Sequence, residues 1–492
     1  MANYEFTHTI NGKAVKGERF FDVFNPATGQ VFAKCPDATK AQLNEAIAGA
    51  KRAFKSWSKT SLVERKEYLK AAQAKLMARL KEFAHLLTLE QGKTIADATG
   101  EIGGAAAWMD ATINLEMPPV EVIAENDESR MEVHYKPLGV VAAICPWNFP
   151  VTLAQWKICP AVYAGNTIVL KPSPHTPLTS LLLGEVYRDT FPPGVVNIVA
   201  GGNDLGAWMT TDPRFAKVSF TGSIETGKKI QEVCADDLKR VTLELGGNDA
   251  AIILPEADPV SAAPDIFAGA FANSGQVCSA IKRIYVHEDK YESFVQEMTR
   301  IAKDTTFGDG MAEGSQYGPL NNKMQFEKVA AYVEDARKNG ARITTGGKAR
   351  GQGYIYEPTI IADVDESFKI VSEEQFGPAV PIMKYKTVDE AVDRANDTNY
   401  GLSGSVWGPD AEKAAEVAAR LEVGTSWVNQ HLAITPVTPF GGSKWSGIGR
   451  ENGKWGLSAF LEPFTLNIKK KSSVRALSTV ASKQKVAVKS KL

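Results

Sequence analysis

One thiol in this sequence keeps company that a merely packed cysteine does not need. Cys278 lies in Phe271-Ala-Asn-Ser-Gly-Gln-Val-Cys-Ser-Ala280, a run of small and polar residues too poor in apolar side chains to read as core. A glycine shortly before the cysteine lets backbone approach whatever the sulfur touches. A thiolate attacks electrophilic carbon, yet a free thiol is mostly protonated near neutrality and depends on its surroundings for activation. Alone, Cys278 reads more readily as a small buried hydrophobe. Two other residues change the balance. Asn148 is held in Pro146-Trp-Asn-Phe-Pro150 directly after an apolar run. A rigid carboxamide donor there could stabilise an oxyanion, or serve only the turn. Glu244, in Leu243-Glu-Leu-Gly-Gly247, stands at the end of an apolar strand. Burial would raise its pKa towards the range of a general base, whereas an ion-pair partner is the ordinary alternative.

A second group of motifs suits a nucleotide. Lys171, in Lys171-Pro-Ser-Pro-His175, ends the next apolar run and suits a phosphate or ribose hydroxyl, with a solvated surface lysine as the plainer reading. Phe220-Thr-Gly-Ser-Ile-Glu-Thr-Gly227 runs from strand into helix; Gly222 frees the turn, while Ser223 and the helix N-terminus present donors to a pyrophosphate. With Lys228 this approaches a P-loop, but Lys229 occupies the place of the magnesium-binding hydroxyl, which disfavours ATPase chemistry. No GxGxxG occurs, so a dinucleotide must be held in another way. Ser372-Glu-Glu-Gln-Phe-Gly-Pro378 offers Glu374 to a ribose and Phe376 as an aromatic wall, and Pro439-Phe-Gly-Gly-Ser443 places Phe440 on a glycine turn. Each could also be an ordinary loop.

The elements that must position these residues are legible from periodicity. Ser61-Leu-Val-Glu64 is a capping box, and Leu69, Ala72, Leu76, Leu80, Phe83 and Leu87 follow as the stripe of one long helix. From Gly139 short β-branched runs (139–144, 167–170, 195–199, 217–220) alternate with helical segments, the pattern of a parallel sheet covered on both faces. Such sheets bind ligands at the carboxyl ends of their strands. A second α/β region spans about 250–437, with strands near 281–286 and 403–407. Residues 121–136 read as a polar edge hairpin. The chain has 492 residues and a net charge of −1, enough for two or three domains and without the basic excess of a nucleic-acid binder. Its 5 cysteines form no CxxC pair, against a disulfide framework or a structural metal site. No apolar run reaches bilayer length, so membrane insertion is not expected.

The ordered set PWNFP, KPS, FTGS, LELGG, GQVC, EEQFGP and PFGG resembles the NAD(P)-dependent aldehyde dehydrogenase superfamily, over nearly the whole chain. The resemblance implies an α/β fold in three parts. A Rossmann-type cofactor-binding domain would comprise 1–119 and 137–246, and an α/β catalytic domain 247–445. A small β oligomerisation arm would comprise 120–136 and 461–470, implying a homodimer or homotetramer, and 471–492 would be a basic tail. It also implies roles. Cys278 would be the nucleophile forming a thiohemiacetal, Asn148 and the Cys278 backbone N–H the oxyanion donors, and Glu244 the base that activates water against the thioester. NAD would be the cofactor, contacted by Trp147, Lys171, Gly222, Ser223, Leu245, Glu374 and Phe376.

Three positions narrow that expectation. Glu244 favours hydrolysis of the acyl-enzyme over transfer to coenzyme A. Trp156, eight residues past Asn148, stands where semialdehyde-oxidising relatives carry arginine. With Phe149 and Phe440 it suggests an apolar tunnel for an uncharged aliphatic or aromatic aldehyde. Pro174 replaces a glutamate common in NAD-preferring members, so NADP is admitted as well. A semialdehyde dehydrogenase, a non-catalytic nucleotide-binding relative and a cysteine hydrolase without redox chemistry are the alternatives. Ser490-Lys491-Leu492 is the tripeptide read by the peroxisomal import receptor, on a tail rich in Lys and Arg. A peroxisomal location is therefore expected, with the cytoplasm as alternative.

Overall fold

The computed structural model describes residues 4–471; the Ser490–Leu492 tripeptide and the tail beyond residue 471 lie outside them. Two sheets carry the larger unit. In the first, the strands Arg240–Glu244, Lys217–Thr221, Val140–Ile144, Thr167–Lys171 and Val196–Ile198 lie side by side and parallel. Gly447–Ile448 closes one side antiparallel to Arg240–Glu244, and His8–Ile10 with Lys13–Val15 closes the other. Chain order reverses at Val140–Ile144, which is the switch point where parallel sheets open a crevice for ligands. Asn148 follows that strand, Lys171 ends its neighbour, and Thr221 and Glu244 end the two on its other side. One end of one sheet thus gathers most of the candidate residues.

The second sheet runs Arg342–Thr345, Thr359–Ala362, Ala379–Tyr385, Ile281–His287, Asp249–Ile253, Ser403–Trp407, Thr425–Val428, parallel except at its first pair. Its central strands are buried on both faces because alternate residues serve different cores. Ala250, Ile252 and Leu254 join one cluster, and Ala251 and Ile253 the other. Burying both faces contributes about 1.5–3 kcal/mol per large aliphatic side chain, which is what holds short strands flat between helices.

Two expectations need correction. The stripe from Leu69 to Leu87 is not one helix: Leu62–Ala78 ends at Arg79 and Leu80–Gln91 begins there. Arg79 leaves helical geometry (φ −108°, ψ 15°), and its guanidinium bonds Glu82 and Glu185. Apolar periodicity survives such a break because both helices face the same core. The segment around Cys278 is also not peripheral. Phe271, Val277 and Ala280 are buried, as are Asn273, Ser274, Gln276 and Ser279. Its polar atoms can be buried because most find partners: Gln276 Nε2 donates to Asn273 O, and Asn321 N donates to Gln276 Oε1.

A second unit, residues 118–136 and 462–471 of the described chain, is a three-stranded sheet in the order Leu461–Lys469, Ser129–Pro137, Glu121–Glu125. The expected hairpin lies in it, with the C-terminal strand paired to its longer arm.

Candidate active site

Asn148, Glu244 and Cys278 line one cavity of about 590 Å³, together with Phe149, Trp156 and Phe440. The PWNFP turn is rigid for more reasons than its prolines. The Asn148 carbonyl accepts Lys93 Nζ at 3.0 Å and Asn273 Nδ2 at 3.1 Å. The side-chain amide donates to Gln276 O at 2.9 Å, leaving a second N–H, and Oδ1 has no partner. Lys93 also meets Glu101 at 2.5 Å and lies 3.8 Å from the Phe149 ring centroid. The other Glu101 oxygen accepts Val151 N at 3.0 Å, capping the helix Pro150–Tyr163, whose positive end favours a carboxylate. Neither Lys93 nor Glu101 belonged to a motif read from the sequence.

The loop into Cys278 is strained. Asn273 and Ser274 have φ of 49° and 58°, unfavourable for residues other than glycine and costing about 1–3 kcal/mol each. Side-chain bonds hold them there, Ser274 Oγ to Gly318 O at 2.7 Å among them. A Cβ on Gly275 would collide with Gly377 O, so the glycine of GQVC is required by the close passage of the FGP turn. Cys278 is partly buried, and its apolar setting pushes the thiol up to about 12, opposed by Lys282 and reinforced by Glu374, Asp249 and Glu244.

Glu244 is 3% exposed and neither carboxylate oxygen has a partner. Burial first, and the charge of Glu451 second, push its pKa well above the usual carboxylate range; Lys157 and Arg450 oppose the shift. Beside it lies a buried pair absent from the sequence reading, with Lys157 Nζ 2.6 Å from Glu451 Oε1 and 2.7 Å from Thr221 Oγ1. The lone signal for it was a lysine inside an otherwise apolar helix.

Trp156 stacks on Trp108 at 5.6 Å and meets Phe440 edge-on at 5.4 Å. Trp108 is the tunnel aromatic that sequence reasoning missed. Among the described residues lining the cavity Lys93 is the one cation, and Glu101 neutralises it.

Trp147, Lys171, Gly222, Ser223 and Leu245 lie at the same strand ends, whereas Glu374 and Phe376 come from the turn before Ala379–Tyr385 of the second sheet. Trp147 and Phe376 meet edge-to-face at 5.3 Å, with Phe376 at φ 51°. Lys171 is buried and lowered to about 8 by that burial. Ser223 caps the helix Ile224–Ala235, its Oγ accepting Thr226 N at 3.3 Å, and Gly222 N donates to Glu244 O. Leu245 packs where a Cβ on Gly227 would sit. Glu374 approaches the Gly246–Gly247 backbone: Gly247 N donates to Oε1 at 3.2 Å, and a Cβ on Gly247 would stand 2.6 Å from Cys278 O. The pair of glycines thus admits both the carboxylate and the nucleophile loop.

These residues fit a dinucleotide. A helix N-terminus suits a pyrophosphate, and a buried lysine and a carboxylate suit ribose hydroxyls. The described residues hold no cluster of metal-ligating side chains, and no helix among them is long and apolar enough to cross a membrane.

Residues 13–466 match the model of the aldehyde dehydrogenase family. The chain is 39% identical to an aldehyde dehydrogenase of Enchytraeus buchholzi, over 95% of each chain. It is 38% identical to the mitochondrial succinate-semialdehyde dehydrogenase of Arabidopsis thaliana, covering 89% of this chain and 84% of that one. Its fold superposes on betaine aldehyde dehydrogenase of Staphylococcus aureus in complex with NAD+ with a TM-score of 0.93, at 33% identity over 98% of both. The chain belongs to the aldehyde dehydrogenase family and is an oxidoreductase of aldehydes.

Proposed function

We propose that this enzyme oxidises an uncharged aliphatic or aromatic aldehyde to its carboxylic acid with NAD, NADP being admitted by Pro174. The observation that carries the reading is the convergence of Cys278, Asn148 and the unpartnered Glu244 carboxylate on one aromatic-walled cavity. The Cys278 thiol loses its proton to solvent, and the sulfur bonds the aldehyde carbon as the carbonyl π bond breaks towards oxygen. The second N–H of Asn148 and the Cys278 N–H receive the negative charge that develops on the carbonyl oxygen. The nicotinamide cofactor supplies, when bound, the acceptor for the hydride that leaves this carbon. A thioester remains on Cys278. Glu244 takes a proton from water, whose oxygen bonds the acyl carbon; the C–S bond breaks, releasing acid and thiolate.

The neutralised Lys93 leaves no free cation for a distal carboxylate, which favours an uncharged aldehyde over a semialdehyde acid. Purified protein should reduce NAD with short, long-chain or aromatic aldehydes faster than with succinic semialdehyde. Cys278→Ala should lower that rate by about a thousandfold or more while cofactor binding persists. Turnover in that variant near the wild-type rate would refute the nucleophile, and no reduction with any aldehyde would refute the class of substrate. The two outer strand edges of the three-stranded arm, unpaired among the described residues, and the exposed Val122 and Ile123 beside them support a homodimer or homotetramer. The terminal Ser490-Lys491-Leu492 supports import into the peroxisome. A fluorescent fusion should be punctate and become diffuse when those three residues are removed; a punctate pattern after removal would argue against that import route.

A further inference from the structure

The strand Ile281–His287 buries two adjacent cationic side chains, Lys282 and Arg283, that apolar surroundings should reject. Lys282 is buried, its side chain 1% exposed, in the strand that follows Cys278. The ammonium donates to two carbonyls, Val277 O at 2.8 Å and Cys278 O at 2.6 Å, and forms an ion pair with Glu374 Oε1 at 3.4 Å. We propose that Lys282 is the positioning residue of the nucleophile, orienting the Cys278 N–H and the sulfur and tying both to the carboxylate on the cofactor side. This rests on the reading of Cys278 as nucleophile.

Geometry carries the first part. A planar trans peptide points its C=O and N–H in opposite directions. Pinning Val277 O therefore fixes the direction of the Cys278 N–H, the expected oxyanion donor. The next carbonyl, Cys278 O, is pinned by the same ammonium, and Ser279 O is held by His431 Nε2 at 2.7 Å. Cys278 thus sits in backbone that is bonded on both sides. Charge carries the second part. Of the charged groups facing the thiol, Glu374, Asp249 and Glu244 disfavour the thiolate, and Lys282 alone favours it. Glu374 is shared between Lys282 and the Gly247 N–H, so a cofactor that draws on this carboxylate also acts on the cation that orients Cys278. Lys282 touches none of the reacting atoms.

The test uses full-length protein carrying Lys282→Met or Lys282→Gln, with iodoacetamide as probe. The Cys278 thiolate displaces iodide and forms an S–C bond, so the reaction needs neither aldehyde nor cofactor. At pH 8 alkylation of Cys278 should slow about tenfold in both variants, because both lose the charge. The fall in kcat should be larger for Met, which offers no donor, than for Gln, which keeps an N–H, while the KM for aldehyde stays within about twofold. A merely space-filling lysine would leave alkylation unmoved. Wild-type alkylation in either variant with an unchanged circular dichroism spectrum overturns the proposal. Should neither variant fold, Glu374→Gln reads the same balance from the less buried side: removing the opposing charge should speed alkylation several-fold, and an unchanged or slower rate overturns the proposal. A wild-type protein that reduces no cofactor with any aldehyde sinks the functional reading, while the alkylation rates still decide the role of Lys282.

Discussion

Glu244 shows how burial and function conflict in one residue. Burial in an apolar setting first, and the nearby charge of Glu451 second, push its carboxyl well above the usual carboxylate range, although the proposed role as base requires the ionised form. A carboxyl whose pKa is raised on folding binds its proton more tightly in the folded chain. Its contribution to stability is complete below its ordinary value of 4.5 and is lost as pH rises through the raised folded value. Glu244→Gln removes that penalty. Its unfolding midpoint should equal that of the wild type near pH 4 and exceed it by roughly 1–2 °C at pH 8. The same variant should lose the activity that rises with pH and accumulate acyl-enzyme, visible by mass spectrometry of the intact chain. A stability difference of equal size at both pH values would show that the carboxyl is not displaced. An unchanged steady-state rate would remove it from the hydrolytic step.

At the scale of elements, the parts of the site that could be read from sequence are those where local backbone chemistry is decisive. Prolines around Asn148, the glycines of LELGG and the β-branched runs before them announce strand ends, whereas GQVC lies between the helix Pro259–Phe271 and the strand Ile281–His287. The first sheet brings Asn148 and Glu244 together at its strand ends, and segments outside it carry Cys278 and Phe440 into the same cavity. What could not be read is pairing across elements. Glu101 caps a helix that begins 49 residues later, and Lys157 meets Glu451 at a separation of 294. Nothing in either neighbourhood specifies the partner; the one hint is a charged residue inside an apolar stretch, as for Lys157, and Lys93 in Glu90-Gln-Gly-Lys-Thr94 lacks even that. Such lysines remain buried because each ammonium reaches a carboxylate and further acceptors, the condition under which a buried charge is tolerated. The helix break at Arg79 escaped for the opposite reason. Two helices sharing a core keep one apolar phase, and periodicity is blind to a single residue that leaves it.

The scale of the whole molecule is set by the small β unit. Three strands without a second layer bury little of their own surface, and such sheets are marginal alone in water. Val120, Val122, Ile123, Met131 and Ile468 are exposed in it, and Glu121–Glu125 is exposed along its entire length. Glu121–Glu125 and Leu461–Lys469 each leave one edge with no strand partner among the described residues. Unpaired edges beside apolar side chains favour pairing with another chain, and natural monomers guard them with charge. Here the guard is incomplete: Arg130 bonds Glu125 and Glu132, and Lys470 bonds Glu125, so these charges are spent within the sheet. A second copy of this chain is the simplest partner, through two-fold pairing of equivalent surfaces. Val122 and Ile123, 46% and 60% exposed, are the residues on which to test it. The wild-type protein should run in light scattering as a dimer or tetramer. Val122→Lys with Ile123→Lys places two positive charges on the facing strand and should yield a smaller species at micromolar concentration. Because Cys278, Asn148 and Glu244 all lie in the larger unit, acylation of Cys278 by a first equivalent of aldehyde with NAD present as oxidant should persist in that smaller species. A monomeric wild type, or a double variant with unchanged mass, would mean that the arm does not assemble the protein and that its exposed valine and isoleucine need another explanation.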